Sequence, residues 1–171
     1  RHGRARVTSD RLKETVFAIL GASLHDQTFL DLCAGSGQMA LEAHSRGARV
    51  TANEPDGRRH ASLRQLVHEW RLADFELLNT KAQVLIPRLA EASRSFDMVY
   101  ADPPYDARHG DAALSEALLR LAGEAGLLAP EGLLLVQHSR RQDLPEASGC
   151  LVLQRRRSYG ETELSTYAAA P

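Results

Sequence analysis

The residues Asp-Pro-Pro-Tyr at positions 102–105 place two hydrogen-bond acceptors next to an aromatic ring. Proline lacks a backbone N–H and has a fixed φ, so we expect the Pro103 carbonyl to face a cleft instead of joining a β-ladder. Together with the Asp102 carboxylate it could accept both hydrogens of a planar NH₂ group, while the Tyr105 ring stacks on the flat molecule that carries this group. Held in this way, the nitrogen turns its lone pair towards an electrophile, and the carboxylate stabilises the positive charge that develops on it. The motif predicts a site that makes an exocyclic amine nucleophilic; the alternative is a proline-rich surface turn.

A second candidate site is the glycine-containing loop at residues 31–37, Asp-Leu-Cys-Ala-Gly-Ser-Gly. Its glycines allow a tight turn and a close approach of the backbone to a ligand. The helix predicted to follow would point its free N–H groups at the same place. Glu54 ends the next predicted strand, where its carboxylate could accept hydrogen bonds from both hydroxyls of a ribose. These features indicate an adenosine-containing cofactor; a structural strand-to-helix turn is the alternative.

The first residue of this loop, Asp31, helps to choose between two such cofactors. A carboxylate would repel the phosphates of NAD, whereas it would attract the ammonium and sulfonium groups of S-adenosylmethionine. Ala40 completes a tolerated variant of the dinucleotide-binding pattern, so NAD stays possible on this loop alone. The Asp-Pro-Pro-Tyr motif at the end of the fourth predicted strand favours the methyl donor, because a positioned amine can attack a methyl group that has a sulfonium as its leaving group.

Strands and helices alternate along the chain, which determines where these loops lie. Predicted strands cover residues 28–33, 49–53, 75–79, 96–101, 132–138, 150–157 and 163–168, and predicted helices residues 38–46, 56–70, 82–92 and 111–123. Thr8 and Ser9 are candidate N-caps of an additional first helix that ends at Gly21. This order predicts one Rossmann-like α/β domain, residues 1–171, with a seven-stranded, mostly parallel sheet, helices on both faces and a C-terminal antiparallel hairpin. Ligands of such sheets lie at the carboxyl ends of the strands, where both motifs fall.

The composition argues against several other classes of function. No apolar run reaches the ~18 residues of a membrane-spanning helix. The two cysteines cannot form a disulfide framework, and the seven histidines lack the spacing of a metal site. We therefore expect a cytoplasmic protein without a bound metal. The formal net charge of −1 is unevenly distributed: residues 1–14 and 138–160 each carry five cations and two acids, which leaves 11 of the 21 cations and 18 of the 22 acids for the rest. The two basic ends are the expected phosphate-binding regions.

The chain resembles a known family in these motifs and in two further stretches. Asp-Pro-Pro-Tyr is the signature of amino-group N-methyltransferases, which modify adenine N6, cytosine N4 or guanine N2. The stretches at residues 6–14 (RVTSDRLKE), 30–48 (LDLCAGSGQMALEAHSRGA) and 159–162 (YGET) are similar to those of the RsmD-type small-subunit ribosomal RNA guanine-N2 methyltransferases. The resemblance implies S-adenosylmethionine as donor and, as acceptor, a guanine of 16S ribosomal RNA flipped out of its helix. We expect the acceptor RNA within a small-subunit or assembly particle. Nothing in the sequence demands an oligomer, so we expect a monomeric enzyme without an obligate protein partner.

The resemblance also implies roles for individual residues. The predicted catalytic residues are Asp102, Pro103, Pro104 and Tyr105. The predicted cofactor-binding residues are Asp31, Ala34, Gly35, Ser36, Gly37, Glu54, Pro55, Ala82 and Asp102. The predicted RNA-binding residues are Arg6, Thr8 and Arg11 of the opening motif and, from the charge of the C-terminal region and not from the resemblance, Arg140, Arg141, Arg155 and Arg157. Asp31 and the two glycines would hold the methionine end of the cofactor and Glu54 its ribose, while Thr8 and Arg11 would close over the pocket.

The sequence departs from the family pattern at three places. Val7 stands where the family usually has proline, which should loosen the opening loop. Lys81 stands where the family usually has an acceptor for the adenine amino group, so the backbone around Ala82 would serve instead. The basic leader of the family is absent or cut away before residues 1–21. Two other functions stay open: an adenine-N6 or other amino-group methyltransferase acting on DNA, RNA or protein glutamine, and a non-catalytic RNA-binding module.

Overall fold

The computed structural model describes the backbone of residues 2–170 and the side chains of residues 11–170. The helices in this part of the chain are α1 His2–Leu20, α2 Gln38–Ser45, α3 Gly57–Glu69, α4 Ala82–Glu91 and α5 Leu114–Ala125. The strands are β1 Thr28–Asp31, β2 Arg49–Asn53, β3 Phe75–Leu78, β4 Phe96–Ala101, β5 Arg108–His109, β6 Ala112–Ala113, β7 Leu128–Ser139, β8 Ala147–Ser148, β9 Leu151–Tyr159 and β10 Thr162–Ala169. None of the described helices is both long and apolar enough to cross a membrane.

Eight of the strands form one mixed sheet in the order β3-β2-β1-β4-β7-β10-β9-β8. The strands from β3 to β7 in this order are parallel to one another, whereas β10 is antiparallel to both β7 and β9. This confirms the predicted α/β fold with a C-terminal antiparallel hairpin. The sheet has one strand more than expected, the two-residue β8 at its edge, and β5 and β6 form a separate small sheet. Strands of two residues carry no periodicity from which the sequence could predict them.

The first helix begins earlier than the sequence predicts. It starts at His2, so Thr8 and Ser9 lie inside it, and the predicted N-cap is wrong. The loop expected around Val7 is wrong for the same reason. Residues 4–6 are Arg-Ala-Arg, and the high helix propensity of these residues lets the helix extend past a local capping signal. The predicted end is confirmed, because Gly21 has a φ of +108° and its N–H donates back to the last turn at 2.9 Å.

Helices cover both faces of the sheet, as predicted. One face is packed by α4 and α5, through apolar side chains that include Leu85, Ile86, Leu118 and Leu119. The other face is packed by α1, α2 and α3, through side chains that include Val16, Phe17, Ala40 and Leu63. Because β1 to β4 are parallel, their carboxyl ends share one edge of the sheet, and the loops that follow them converge there.

The helix α5 packs against β8 through a contact that leaves no room for a side chain. A Cβ atom at Gly123 would lie 2.1 Å from the Ser148 carbonyl oxygen, and the Cys150 N–H donates to the Gly123 carbonyl at 3.2 Å. We expect Gly123→Ala to lower the free energy of unfolding by about 1–3 kcal/mol through overpacking, as measured by urea denaturation. Gly57→Ala is the matched control, since a Cβ atom at this helical position would meet nothing within 4 Å. Equal stability of the two variants would contradict the close contact.

Candidate active site

The two glycines of the 31–37 loop after β1 have different surroundings. Gly35 and Gly37 have φ values of +57° and +84°, a region that favours glycine. A Cβ atom at Gly35 would meet nothing within 4 Å, whereas one at Gly37 would lie 2.5 Å from Cδ1 of Leu63 in α3. Gly35 is therefore the position at which a ligand can approach the loop, and Gly37 is the position at which α3 packs against it. Ser36 between them is exposed, and Ala34 is buried.

The carboxylate of Glu54 joins the loops that follow β1 and β2. It is buried, and its Oε2 accepts a hydrogen bond from the Gly35 N–H at 2.7 Å. Its Oε1 accepts one from the Asp56 N–H at 2.8 Å, past the exposed Pro55. A carboxylate has about four lone-pair positions, so two acceptor positions remain for the hydroxyls of a ribose. The arrangement fits the role predicted for Glu54 and also holds the Gly35 backbone in place.

A neighbouring residue that the sequence analysis did not single out, Asn53, connects three loops. Its buried side chain donates to the Leu32 carbonyl at 3.1 Å and to the Thr80 carbonyl at 2.9 Å, and it accepts from the Thr80 N–H at 3.2 Å. The signal in the sequence was a single amide at the carboxyl end of a buried strand. Through Thr80 this amide positions the start of α4, where Ala82 is buried and Lys81 is exposed. The first N–H groups of a helix lack partners within it, so the Ala82 N–H can serve a ligand.

The 102–105 loop follows β4 at the same edge of the sheet. Asp102 is half-buried, Pro103 is buried, and Pro104 and Tyr105 are exposed. The Ala107 N–H donates to the Pro104 carbonyl at 3.0 Å and closes the turn. Among the hydrogen bonds of the described residues, none ends on the Pro103 carbonyl. The Pro103 carbonyl, which follows Asp102 directly in the chain, is thus available as an acceptor.

Three carboxylates approach one another where these loops meet: Asp31, Glu54 and Asp102. Burial, with smaller contributions from the charges of Asp102 and Glu54, raises the pKa of Asp31 to about 7, although the Cys33 N–H donates to this carboxylate at 3.2 Å. Burial also raises the pKa of Asp102 to about 7. Buried carboxylates are stabilised by a nearby cation and destabilised by a phosphate. The site therefore suits a ligand with a positively charged group.

The hairpin of β9 and β10 contacts the 102–105 loop. The Tyr105 hydroxyl and Thr162 Oγ1 are 2.7 Å apart, which fixes the ring of Tyr105 against the start of β10. The Arg140 N–H donates to the Glu161 carbonyl at 2.8 Å, and the exposed Arg141 forms an ion pair with Glu161 at 3.7 Å. The structure thus brings two of the predicted RNA-binding arginines to the same end of the molecule as Tyr105.

The other predicted RNA-binding residues lie on β9 and α1. Arg155 is exposed and Arg157 is half-buried, and both lie on one face of β9. Arg156 lies on the opposite face, where its guanidinium donates to Asp143 at 3.0 Å and to the backbone carbonyl of Leu144. Arg11 is exposed on α1. The side chains of Arg6 and Thr8 lie outside the described residues.

The chain matches known proteins along nearly its full length. The family model described as "Conserved hypothetical protein 95" (Cons_hypoth95) matches residues 2–168. The "Putative rRNA methyltransferase YlbH" of Bacillus subtilis is 29% identical over 164 residues, which cover 95% of this chain and 86% of that protein. The "Ribosomal RNA small subunit methyltransferase D" of Escherichia coli K12 is 31% identical over 163 residues, which cover 95% of this chain and 78% of that protein.

Solved structures share the fold. A "Putative methyltransferase yhhF from Escherichia coli" superposes with a TM-score of 0.78 and 27% identity, covering 93% of this chain and 85% of that one. A putative methylase from Haemophilus influenzae superposes with a TM-score of 0.79 and 26% identity, covering 96% of this chain and 99% of that one. Given a family model that spans residues 2–168 and a relative with 31% identity, the chain belongs to the Cons_hypoth95 family of RsmD-type methyltransferases.

Proposed function

We propose that the protein transfers a methyl group from S-adenosylmethionine to the exocyclic N2 amine of a guanine in 16S ribosomal RNA. The observation that carries this proposal is the position of the 102–105 loop beside the 31–37 loop. The two loops follow β1 and β4, which are adjacent and parallel, with Asp31 paired to Tyr100. The names of the two relatives, both ribosomal RNA methyltransferases, support the class of acceptor. We place the reaction in the cytoplasm, on a small-subunit or assembly particle, with a monomeric enzyme.

The residues at the strand ends fit the proposed methyl donor. The negative charge of Asp31 suits the cationic methionine end of the donor. Gly35 borders open space, since a Cβ atom there would meet nothing within 4 Å. Glu54 keeps two acceptor positions for the ribose, and the Ala82 N–H can meet the adenine ring. S-adenosylmethionine supplies an electrophilic methyl group on a sulfonium, which leaves as an uncharged thioether.

The 102–105 loop performs the rest of the proposed reaction. Asp102 and the Pro103 carbonyl accept the two N–H bonds of the guanine amine, while Tyr105 stacks on the base, so that the nitrogen lone pair points at the methyl carbon. As the N–C bond forms and the C–S bond breaks, positive charge develops on nitrogen and the Asp102 carboxylate stabilises it. The proton that the nitrogen loses passes to Asp102, whose pKa burial raises to about 7, and then to solvent.

Donor binding should depend on pH through the buried carboxyls. In the free protein burial raises the pKa values of Asp31 and Asp102 to about 7, so these groups are protonated below this pH. Asp31 is the carboxylate proposed to face the cationic end of the donor, and the donor binds its ionised form. Donor affinity should therefore fall as the pH is lowered from about 8 to 6, by at most about tenfold per pH unit for the one proton displaced. Calorimetry in buffers of different ionisation enthalpy would count the protons released. S-adenosylhomocysteine, which lacks the sulfonium charge, is the control and should show a weaker dependence. A flat affinity for the donor over this range would contradict the prediction.

The hydrogen bond between Tyr105 and Thr162 adds a role to the predicted stacking. If Tyr105 only stacked on the base, Tyr105→Phe would hardly change the KM for the RNA. Because the hydroxyl contacts Thr162 at 2.7 Å, we expect Tyr105→Phe and Thr162→Val each to raise the KM for the RNA about fivefold, or about 1 kcal/mol, and the double variant to do no more. Thr162→Ser should restore the wild-type KM, and Tyr105→Ala should be worse than Tyr105→Phe. Additive effects of the two substitutions would show that they act separately.

The proposed function is tested by identifying the product. Ribosomal particles from cells that lack this enzyme are incubated with labelled donor, and their RNA is digested to nucleosides. We expect label in N2-methylguanosine with the wild-type protein and none with Asp102→Ala. Label in N6-methyladenosine would replace the proposal with its main alternative, and label in protein would point to a glutamine acceptor. Mapping the labelled nucleotide then identifies the guanine.

A further inference from the structure

The solvent side of α3 carries cations that the proposed mechanism does not use. Leu63 is the buried residue of α3 that packs in the core, and most other side chains of this helix are exposed. Over residues 57–71 four arginines stand against a single acid, although the middle of the chain is acidic as a whole. We call this patch the α3 surface; it consists of Arg58, Arg59, Arg64, His68, Trp70 and Arg71, all exposed.

The arginines of the α3 surface lack carboxylate partners among the described side chains. Some other arginines of the described residues do pair with acids, for example Arg94 with Glu76 at 2.7 Å. The two acids nearest to the α3 surface in sequence are engaged otherwise. Asp56 caps the helix by accepting from the backbone N–H groups of residues 58 and 59, and Glu69 accepts from the Gln65 side chain at 2.7 Å. Four arginines stand against these two acids over residues 56–71, so the α3 surface keeps a net positive charge.

Trp70 is the C-cap residue of α3 and follows the buried Leu63 by two helical turns, so its ring leaves the C-terminal end of the helix on the Leu63 side. Trp70 is 58% exposed, which is more than any other exposed large apolar side chain among the described residues. A shallow groove over Ala61, lined by Arg64, Gln65 and His68, runs along the same helix. Proteins that bind single-stranded nucleic acid combine arginines that bind the phosphate backbone with an exposed aromatic ring that stacks on a base, and α3 carries both kinds of residue.

We propose that the α3 surface is a second RNA-binding site, at which the arginines bind phosphates and Trp70 stacks on an unpaired base. This inference rests on the proposed function, because it takes RNA as the substrate class. The helix α3 packs on the β2–β3 side of the sheet, whereas Tyr105 contacts β10, four strands away from β2. At about 4.8 Å per strand, the two sites are roughly 20 Å apart. The substrate would therefore be a folded RNA that reaches both sites, and not a short segment around the guanine.

Removing charge from the α3 surface tests this site. Arg58→Gln/Arg64→Gln is compared with Arg88→Gln/Arg120→Gln, which removes two exposed arginines from α4 and α5 on the other face of the sheet. With small-subunit particles as substrate, we expect the first pair to raise the KM for RNA about 20-fold at about 0.15 M salt and to lower the salt slope of binding by about 1.4–1.8, as loss of two phosphate contacts requires. The kcat and the donor affinity should not change, and the control pair should behave like the wild type.

The intrinsic fluorescence of Trp70 gives an independent measurement, because it is the only tryptophan of the chain. We expect 16S ribosomal RNA transcribed in vitro to quench this fluorescence, and Arg58→Gln/Arg64→Gln to shift the quenching to higher RNA concentration. Fluorescence that does not change at saturating RNA would overturn the stacking role. Equal KM values for the two variant pairs would overturn the α3 site but leave the proposed function intact. A wild-type protein that methylates no ribosomal RNA would overturn both.

Discussion

Replacing Asp102 by asparagine is expected to lower the kcat of methyl transfer by about 10²–10⁴-fold, while the dissociation constant of the donor stays within about threefold of the wild-type value. The asparagine side chain has nearly the same volume, so the 102–105 loop should keep its shape. It cannot stabilise positive charge on the attacking nitrogen, nor can it take the proton that this nitrogen releases. The effect should therefore appear in the chemical step and not in donor binding.

Single-turnover methylation of ribosomal particles, together with calorimetry of donor binding, separates these two quantities. Asp106→Asn is the matched control, because Asp106 is an exposed aspartate in the same turn. The control should retain wild-type kcat. A large loss of donor affinity in Asp102→Asn, with kcat preserved at saturating donor, would assign this carboxylate to the cofactor instead of the acceptor.

The second large effect is expected for Glu54→Gln, which should weaken donor binding by about 10- to 150-fold, or about 1.5–3 kcal/mol. The Glu54 carboxylate accepts hydrogen bonds from the Gly35 and Asp56 N–H groups at 2.7 and 2.8 Å. A glutamine has one acceptor oxygen, so one of these groups or a ribose hydroxyl would face an N–H donor. The substitution thus removes acceptors for the ribose and loosens the Gly35 backbone that borders the site.

For this prediction the kcat at saturating donor should remain within a few-fold of the wild-type value, because the acceptor loop is unchanged. Glu76→Gln is the control. This carboxylate lies early in β3, towards the opposite edge of the sheet, where it pairs with Arg94 at 2.7 Å. It should lower stability slightly and leave donor affinity unchanged. Unchanged donor affinity in Glu54→Gln would remove Glu54 from the proposed site.

The fold was predictable because its main elements are encoded locally. Apolar strands with short loops to amphipathic helices require a parallel sheet, and the short turn at residues 158–161 requires an antiparallel pair. The errors occur where local signals compete or are too short. Thr8 and Ser9 look like caps but lie inside α1, and β7 extends back to Leu128 across an irregularity in its ladder with β4.

The candidate site was predictable in its motifs and not in its supporting contacts. The loops that carry Asp31, Glu54 and Asp102 meet because each follows a parallel strand of the same sheet. The individual roles of the three residues remain predictions. The contacts of Asn53 with Thr80 and of Tyr105 with Thr162 join residues 27 and 57 positions apart. Such contacts follow from how the strands are ordered in the sheet, so the pattern around either residue does not reveal them.

The buried carboxyls of Asp31 and Asp102 also bear on the folding equilibrium of the free protein. Their pKa values rise from 3.8, the ordinary value of an exposed aspartate, to about 7 in the folded chain. Between these values the folded state binds more protons than the unfolded state, so their contribution to the free energy of unfolding falls as the pH rises towards 7. A cationic donor offsets the cost of ionising these buried carboxyls, and at 100 times its Kd it adds about 2.7 kcal/mol of stability. S-adenosylmethionine is then a folding ligand as well as a substrate, and the free enzyme should melt at a lower temperature than the donor-bound enzyme, most clearly above pH 7.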